Sequence, residues 1–265
     1  MSALNPILAY KREEVVALKA NHSFSDLSAQ ATEQSEPRGF AAALQRAVDD
    51  GKNGLICELK RKSPSAGEIH VGADPIDIAK EYQSGGAACL SVLTDKPSFG
   101  GSLEDLRLIK KTVDIPILRK DFMIDPIQIV EARANGADAI LIIMAAVDDV
   151  CAKDLSATAY DLNMDALIEV HNEEELDRAL KLSIGLLGIN NRDLTEMKTN
   201  LSVTERLSKL VPDNIAFVSE SGVKTEDDIS RLKKSGAHRF LIGESLMLAN
   251  ERKQMVSQLK LAGTV

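Results

Sequence analysis

The sequence predicts a closed (β/α)8 barrel, on three observations. Eight short apolar runs recur along the chain, segments of helical periodicity separate them, and the 265 residues match the about 250 that such a barrel takes. The runs are LICELKR (55–61), CLSVLTD (89–95), PILRKDF (116–122), AILIIMA (139–145), DALIEV (165–170), LLGINNRD (186–193), AFVSESG (216–222) and RFLIGES (239–245). Each is bounded by polar residues, glycine or proline, as short buried strands are. Strict alternation of strand and helix implies a parallel sheet with right-handed crossovers, and eight units imply closure. The open, doubly wound alternative ordinarily carries G-x-G-x-x-G after its first strand. Neither Gly85-Gly86 nor Gly100-Gly101 supplies it.

The helices have their own signals. Ile127, Val130 and Ala134 share one helical face, as do Ile229 and Leu232. Asp74-Pro75 and Asp125-Pro126 read as an N-cap acid followed by proline at the first helical position. Gly85, Gly136 and Gly236 fall where helices should stop. Before the first strand, 5–20 and 39–49 read as helices and the polar, Ser/Glu/Gln-rich 21–38 as a loop. So short a segment cannot bury a core alone. Residues 1–50 are therefore expected to be a helical extension packed on the barrel, within one domain of 1–265.

Composition narrows the function classes. No run of about 18 apolar residues exists, so no transmembrane helix is expected. The start, MSALNPILAYKREE, turns charged too early for a signal peptide, and a cytoplasmic location is expected. The net charge of -8 argues against a nucleic-acid partner, because phosphate backbones recruit basic surfaces. It leaves room for a small anionic substrate held by a local basic cluster. Cys57, Cys89 and Cys151 form no C-x-x-C pair, and the four histidines form no H-E-x-x-H. No metal is expected.

Side chains alternate between barrel interior and helix layer, and activity in such barrels sits at the C-terminal strand ends. Apolar Leu59 suits the helix layer, which turns Glu58 and Lys60 inward. The same parity groups Leu118, Lys120 and Phe122; Leu167 and Glu169; Gly188, Asn190 and Arg192; and Val218, Glu220 and Gly222. Four strands thus bring Glu58, Lys120, Glu169 and Glu220 to one mouth. Each alone reads equally well as part of a structural ion pair. A set of carboxylates and lysines gathered at the catalytic end reads as a site, since unpaired buried charge is costly. Ser219-Glu220-Ser221-Gly222 and Ile242-Gly243-Glu244-Ser245 end the last two strands. Backbone N–H groups there, with glycine admitting close approach, would hold a phosphate. The Glu244 side chain is expected to point away while its N–H faces the anion.

At these residues the chain resembles the indole-3-glycerol phosphate synthase family. The resemblance runs through ICELKRKSPSAGEI (56–69), GGAACLSVLTD (85–95), LRKDFMIDPIQIVEARANGADAIL (118–141), LIEVHNEEEL (167–176), LGINNRDL (187–194), VSESGV (218–223) and FLIGESLM (240–247). The pattern E-x-K-x-x-S-P-S, Glu58 to Ser65, is specific to that family. The resemblance implies ring closure, decarboxylation and dehydration of 1-(2-carboxyphenylamino)-1-deoxyribulose 5-phosphate to indole-3-glycerol phosphate. It implies Lys120 as the acid at the ketone oxygen, its pKa tuned downward by Lys60 and burial. Glu169 and Glu58 would be the carboxylates of the dehydration, and Asn190 would orient them, supported by Arg192. Glu220 and Ser221 would approach the sugar chain, with Ser63 near the substrate. Lys60, Gly222 and Gly243, with the Glu244 N–H, would bind phosphate, and Phe122 would pack on the aromatic ring. The resemblance also implies a reaction without a cofactor and a monomeric chain. A phosphoribosylanthranilate isomerase-like barrel is the nearest alternative, and would need a cysteine and an aspartate. Parity turns Cys57 and Asp193 away from the mouth, toward the helices. The other alternative is a non-catalytic barrel that only binds a phosphorylated ligand.

Overall fold

A computed structural model describes residues 4–64, 67–70, 72–183 and 185–264. Ser65, in the motif after the first strand, lies outside the described residues. Eight parallel strands close a barrel: β1 (Gly54–Leu59), β4 (Cys89–Leu93), β5 (Ile117–Lys120), β6 (Ala139–Ile143), β7 (Asp165–Val170), β8 (Leu186–Asn190), β9 (Phe217–Glu220) and β10 (Arg239–Ile242). β10 pairs with β1, and β1 with β4, so no edge is left. The loop after β1 carries a small antiparallel hairpin, β2 (Lys62–Ser63) with β3 (Gly67–Glu68), which the sequence did not suggest.

The helices in chain order are α1 (Leu4–Asn21), α2 (Phe24–Glu33), α3 (Phe40–Asp49), α4 (Pro75–Gly85), α5 (Lys96–Phe99), α6 (Leu103–Thr112) and α7 (Pro126–Ala134). They continue with α8 (Asp149–Asp161), α9 (Glu173–Ala179), α10 (Ser202–Leu207), α11 (Glu226–Lys233), α12 (Glu244–Leu248) and α13 (Arg252–Leu261). Asp74 and Asp125 cap α4 and α7 as expected; Asp125 forms a full capping box, and such caps contribute about 1 kcal/mol each. At the end of α4 the left-handed residue is Gly86, one later than expected, with φ 95°.

Two apolar layers follow from strand parity. Leu55, Cys57 and Leu59 pack outward with the helix faces, including Ile229 and Leu232. Ile56, Cys89, Leu118, Leu141, Leu167, Val218 and Leu241 fill the barrel interior. Phe40, Ala43 and Leu44 of α3 join that interior cluster and plug the N-terminal end of the barrel. Opposite that plug, the interior turns polar where the strands end.

The loop expected over 21–38 contains α2. Ser23 caps it by accepting from the Asp26 N–H, and its apolar contribution is Leu27 and Ala31, one turn apart. These meet Val15 of α1 and the Ile127, Val130 and Ala134 face of α7. That periodic face of α7 therefore serves the extension, while Ile129 and Ala132 face the barrel. Tertiary packing makes a helix of a segment too polar to announce itself.

Candidate active site

Ends of strands all round the barrel supply the mouth. Lys120 closes β5, and its Nζ lies 2.8 Å from Glu220 Oε2 on β9, 3.4 Å from Glu169 Oε2 on β7 and 4.0 Å from Glu58 Oε2 on β1. Lys60, one residue beyond β1, reaches back to Glu58 Oε1 at 3.1 Å. Ser91 of β4, level with Glu58 in the sheet, donates to Glu58 Oε2 at 3.3 Å. The four charged groups chosen on parity do converge, and Lys120 is their hub.

Electrostatics sort the carboxyls. Burial works against ionisation of Glu58, but the Lys60 and Lys120 charges outweigh it and hold the carboxyl below its ordinary range. Burial likewise opposes ionisation of Glu169, and Lys120, His171 and hydrogen bonding from Asn190 hold it well below that range. Glu220 differs. Burial and the Glu169 charge push it up to about 7 despite Lys120. Its Oε1 has no hydrogen-bond partner among the described residues and lies 2.1 Å from where a Cβ on Gly188 would stand. Glu220 lines neither cavity described below and reaches the site through Lys120.

The expectation that the Lys120 pKa is tuned downward is overturned. Burial does press it down, but Glu220, Glu169 and Glu58 together raise it well above the ordinary lysine value. Three carboxyls across the mouth outweigh Lys60, which pairs with Glu58 instead. No sequence spacing between β5 and β9 could have revealed that balance.

A cavity opens above Lys120. Glu58, Lys60, Ser63, Lys120, Phe122, Glu169, Asn190, Arg192 and Ser221 all line it. Its apolar wall comes from Phe99 and Phe122, whose ring centroids are 6.1 Å apart, with Leu93, Leu141, Ile143, and Leu4 and Ile7 of α1. Sequence reasoning took no residue from the extension and missed Leu4 and Ile7. Beside it, sharing Glu58, Lys60, Arg192 and Ser221, a second and more polar cavity is lined by Gly222, Lys224, Gly243, Glu244 and Ser245. Every sequence-chosen residue except Glu220 thus lines one cavity or both.

Several of these groups lie past the strand ends, where parity no longer governs. Arg192 belongs to a loop folded back by a bridge to Thr199, with its N–H donating to Asn190 Oδ1. Asp193 does not face the helix layer as expected: it is exposed on this loop, its Oδ1 accepting from the Thr195 and Glu196 N–H groups. Cys57 does face the helices, fully buried, with its thiol pKa pushed up by burial. Neither is placed to serve as acid or base at the mouth. Ser221 and Gly222 both take left-handed φ, 64° and 89°. Asn191, which the sequence did not single out, holds that turn by donating to the Glu220 and Ser221 carbonyls, and accepts from Thr204.

The profile of the indole-3-glycerol phosphate synthase family matches residues 4–259. The chain belongs to this family. An indole-3-glycerol phosphate synthase of Hyphomonas neptunium is 55% identical over 98% of this chain and 99% of its own. One of Rhodospirillum rubrum is 50% identical over 92% and 93%, and one of Zymomonas mobilis subsp. pomaceae 46% over 97% of each. The solved thiamine phosphate pyrophosphorylase of Pyrococcus furiosus superposes with a TM-score of 0.57 at 16% identity, covering 80% of this chain and 95% of that one, and shares the fold alone. The enzyme is a carboxy-lyase of tryptophan biosynthesis acting on a phosphorylated small molecule. No helix among the described residues is long and apolar enough to cross a membrane.

Proposed function

We propose that the enzyme closes the indole ring with Lys120 as the proton donor at the substrate ketone and Glu169 as the base of the final dehydration. The observation that carries this is Lys120 Nζ held at 2.8–4.0 Å among three carboxyls at the floor of a half-apolar cavity. The aryl ring of 1-(2-carboxyphenylamino)-1-deoxyribulose 5-phosphate rests against Phe122, Phe99, Leu4 and Ile7. Its carbon attacks the ketone carbon, and the ketone oxygen takes the Lys120 proton. The resulting ring cation accepts the electron pair released as carbon dioxide leaves, so the reaction calls for no metal or cofactor.

Dehydration then expels the new hydroxyl as water and removes one proton from carbon. Glu58 and Glu169 are both held ionised, so both are fitted to take or orient a proton rather than to give one. Lys120 has already given its proton to the ketone oxygen, so the leaving hydroxyl takes its proton from the Lys60 ammonium. The proton taken by Glu169 passes back to Lys120, and Lys60 regains one from solvent as product leaves. Glu58 is paired with Lys60, the acid of this step, whereas Lys120 beside Glu169 has given up its proton, which leaves Glu169 as the base, oriented by Asn190. The substrate phosphate occupies the second cavity, against the backbone of Gly222, Gly243 and Glu244, with Lys60 and Arg192 between it and the reacting carbons. The enzyme acts in the cytoplasm as a monomer, without a nucleic-acid partner.

Glu169→Gln tests the assignment. Indoleglycerol phosphate fluorescence is expected to report a kcat loss of about 10²–10⁴-fold with substrate binding retained. Turnover near wild type in that variant would remove Glu169 from the base role, and a wild-type chain that binds but never turns over would leave only ligand binding.

A further inference from the structure

His171 is the first residue after β7, two on from Glu169, and its ring is almost wholly buried. Glu175 of α9 grips it twice: the His171 N–H donates to Oε2 at 2.9 Å, and Nδ1 contacts the same oxygen at 2.9 Å. Asn172 holds the other oxygen of Glu175 at 2.8 Å. The ring is thereby fixed with Nε2 facing Glu169 Oε1 at 3.3 Å, an ion-pair contact, with no aligned hydrogen-bond partner among the described residues. Both ring nitrogens thus face carboxylate oxygens, which can only accept. A neutral imidazole would turn one lone pair against a carboxylate; the doubly protonated ring satisfies both sides.

Charge at the mouth points the same way. Glu58, Glu169 and Glu220 contact Lys60 and Lys120 across the cavity floor. His171 stands behind Glu169 as a third cation. Its role grows during turnover. Once Lys120 has passed its proton to the ketone oxygen, it no longer offsets the Glu169 charge, and His171 stays in contact with that carboxylate as a cation.

We propose that His171, held as an imidazolium by Glu175, is the positioning residue that keeps Glu169 ionised and ready to take the proton of the dehydration step. This rests on the reading of Glu169 as base. The groups that face the ring are Glu169 on β7, Glu175 on α9 and, from the loop after β8, the Asp193 charge. Burial alone would lower the His171 pKa, and the two glutamates raise it to about 10. Glu169 is in turn held down by Lys120 first and by His171 next.

The test is the pH dependence of kcat and KM for wild type, His171→Asn, Glu175→Gln and Glu169→Gln, from about pH 3 to about pH 9. Glu169 is held well below the ordinary carboxylate range, so its acid limb in wild type lies below about pH 4.5. Loss of the cation raises the Glu169 pKa, and that limb is expected to move up by about one pH unit in His171→Asn, and by less in Glu175→Gln. KM and the alkaline plateau should stay within about twofold of wild type. A uniform loss at every pH with an unmoved limb, or an unchanged profile, would overturn the proposal. Glu169→Gln judges the underlying reading separately, since an active variant sinks the base assignment whatever His171 does. Imidazole NMR of the wild-type enzyme needs no variant of the buried ring. The other three histidines, His22, His70 and His238, are exposed, so their substitution assigns the remaining signal. That signal is expected to stay doubly protonated at neutral pH; titration at the ordinary histidine value of about 6.5 would overturn the proposal.

Discussion

Lys11 Nζ lies 2.7 Å from Asp121 Oδ1, so the N-terminal extension is tied to the residue between Lys120 and Phe122. The same ammonium meets Asp95 at 3.0 Å, and all three side chains are buried. Burial of Lys11 is outweighed by Asp121 and Asp95, which raise its pKa. Burial of Asp121 is outweighed by Arg119 and Lys11, which lower its own. Removing one member of a buried ion pair typically costs about 3–5 kcal/mol, because the partner charge remains. Arg119 and Thr94 still serve Asp121, and Tyr10 still donates to Asp95, so the lower end applies. Lys11→Ala is expected to lower Tm by at least about 5 °C in a calorimetric scan. Glu14, the half-exposed third partner of Lys11, offers the control: Glu14→Ala should cost less than about 1 kcal/mol. Equal Tm values for both variants would refute the anchoring role.

Gly188 makes room for Glu220. A methyl there would stand 2.1 Å from Glu220 Oε1 and 3.3 Å from Leu167 Cδ1. The carboxyl is almost fully buried and 2.8 Å from Lys120, so a displacement that makes room for the methyl disturbs that contact. Gly188→Ala is expected to cut kcat by about tenfold or more, with little change in KM, since an interaction at the reacting end is lost. Steady-state kinetics with unchanged kcat would show that the position of Glu220 does not matter.

Gly243 is a less clean probe of the phosphate than its place in the loop suggests. A Cβ there meets Glu58 Oε1 at 2.7 Å and Glu58 Cβ at 3.2 Å. Gly243→Val is therefore expected to lower kcat through Glu58 as well as to raise KM through the anion. A rise in KM alone, measured by initial rates, would mean that Glu58 yields without cost.

Stability should fall as pH rises through the neutral range, from two groups. Glu220 has its folded pKa raised from 4.5 to about 7, so protonating it favours the folded state, and that contribution is lost as pH rises between those values. His171 is raised from 6.5 to about 10, so its contribution is complete below 6.5 and is lost as pH rises through the folded value. Thermal melts across this range should show Glu220→Gln removing the acidic part of the slope and His171→Asn the alkaline part. A slope unaltered in both variants would contradict the assignment of these shifts.

The barrel was legible because its eight apolar runs and the glycines between them are local signals, and parity placed Glu58, Lys120, Glu169 and Glu220 inward where the strands still pair. Legibility ended where pairing ends. Arg192 and Asp193 sit on a folded-back loop, so alternation said nothing reliable about Asp193. α2 was hidden because Leu27 and Ala31 are its only buried residues. Leu4, Ile7 and the Lys11 cluster were hidden because their partners lie far along the chain. The Lys120 pKa was misjudged for the same reason: it depends on carboxyls contributed by β1, β7 and β9.

Lys120 itself gives the sharpest test. As proton donor it acts in the transition state more than in substrate binding, so its loss should lower kcat and kcat/KM together. Lys120→Ala is expected to turn over at least about a hundredfold more slowly. It also strips the cation from three buried carboxyls, so Tm should fall too, and a lowered Tm alone does not separate catalysis from structure. Lys120→Arg does separate them. Arginine keeps the charge that the carboxyls need but holds its proton more tightly and presents it on a planar fork. If Lys120 gives its proton to the ketone oxygen, Lys120→Arg restores Tm and leaves kcat low. If Lys120 only neutralises Glu58, Glu169 and Glu220, Lys120→Arg restores both, and a near-wild-type kcat in that variant removes Lys120 from the acid role.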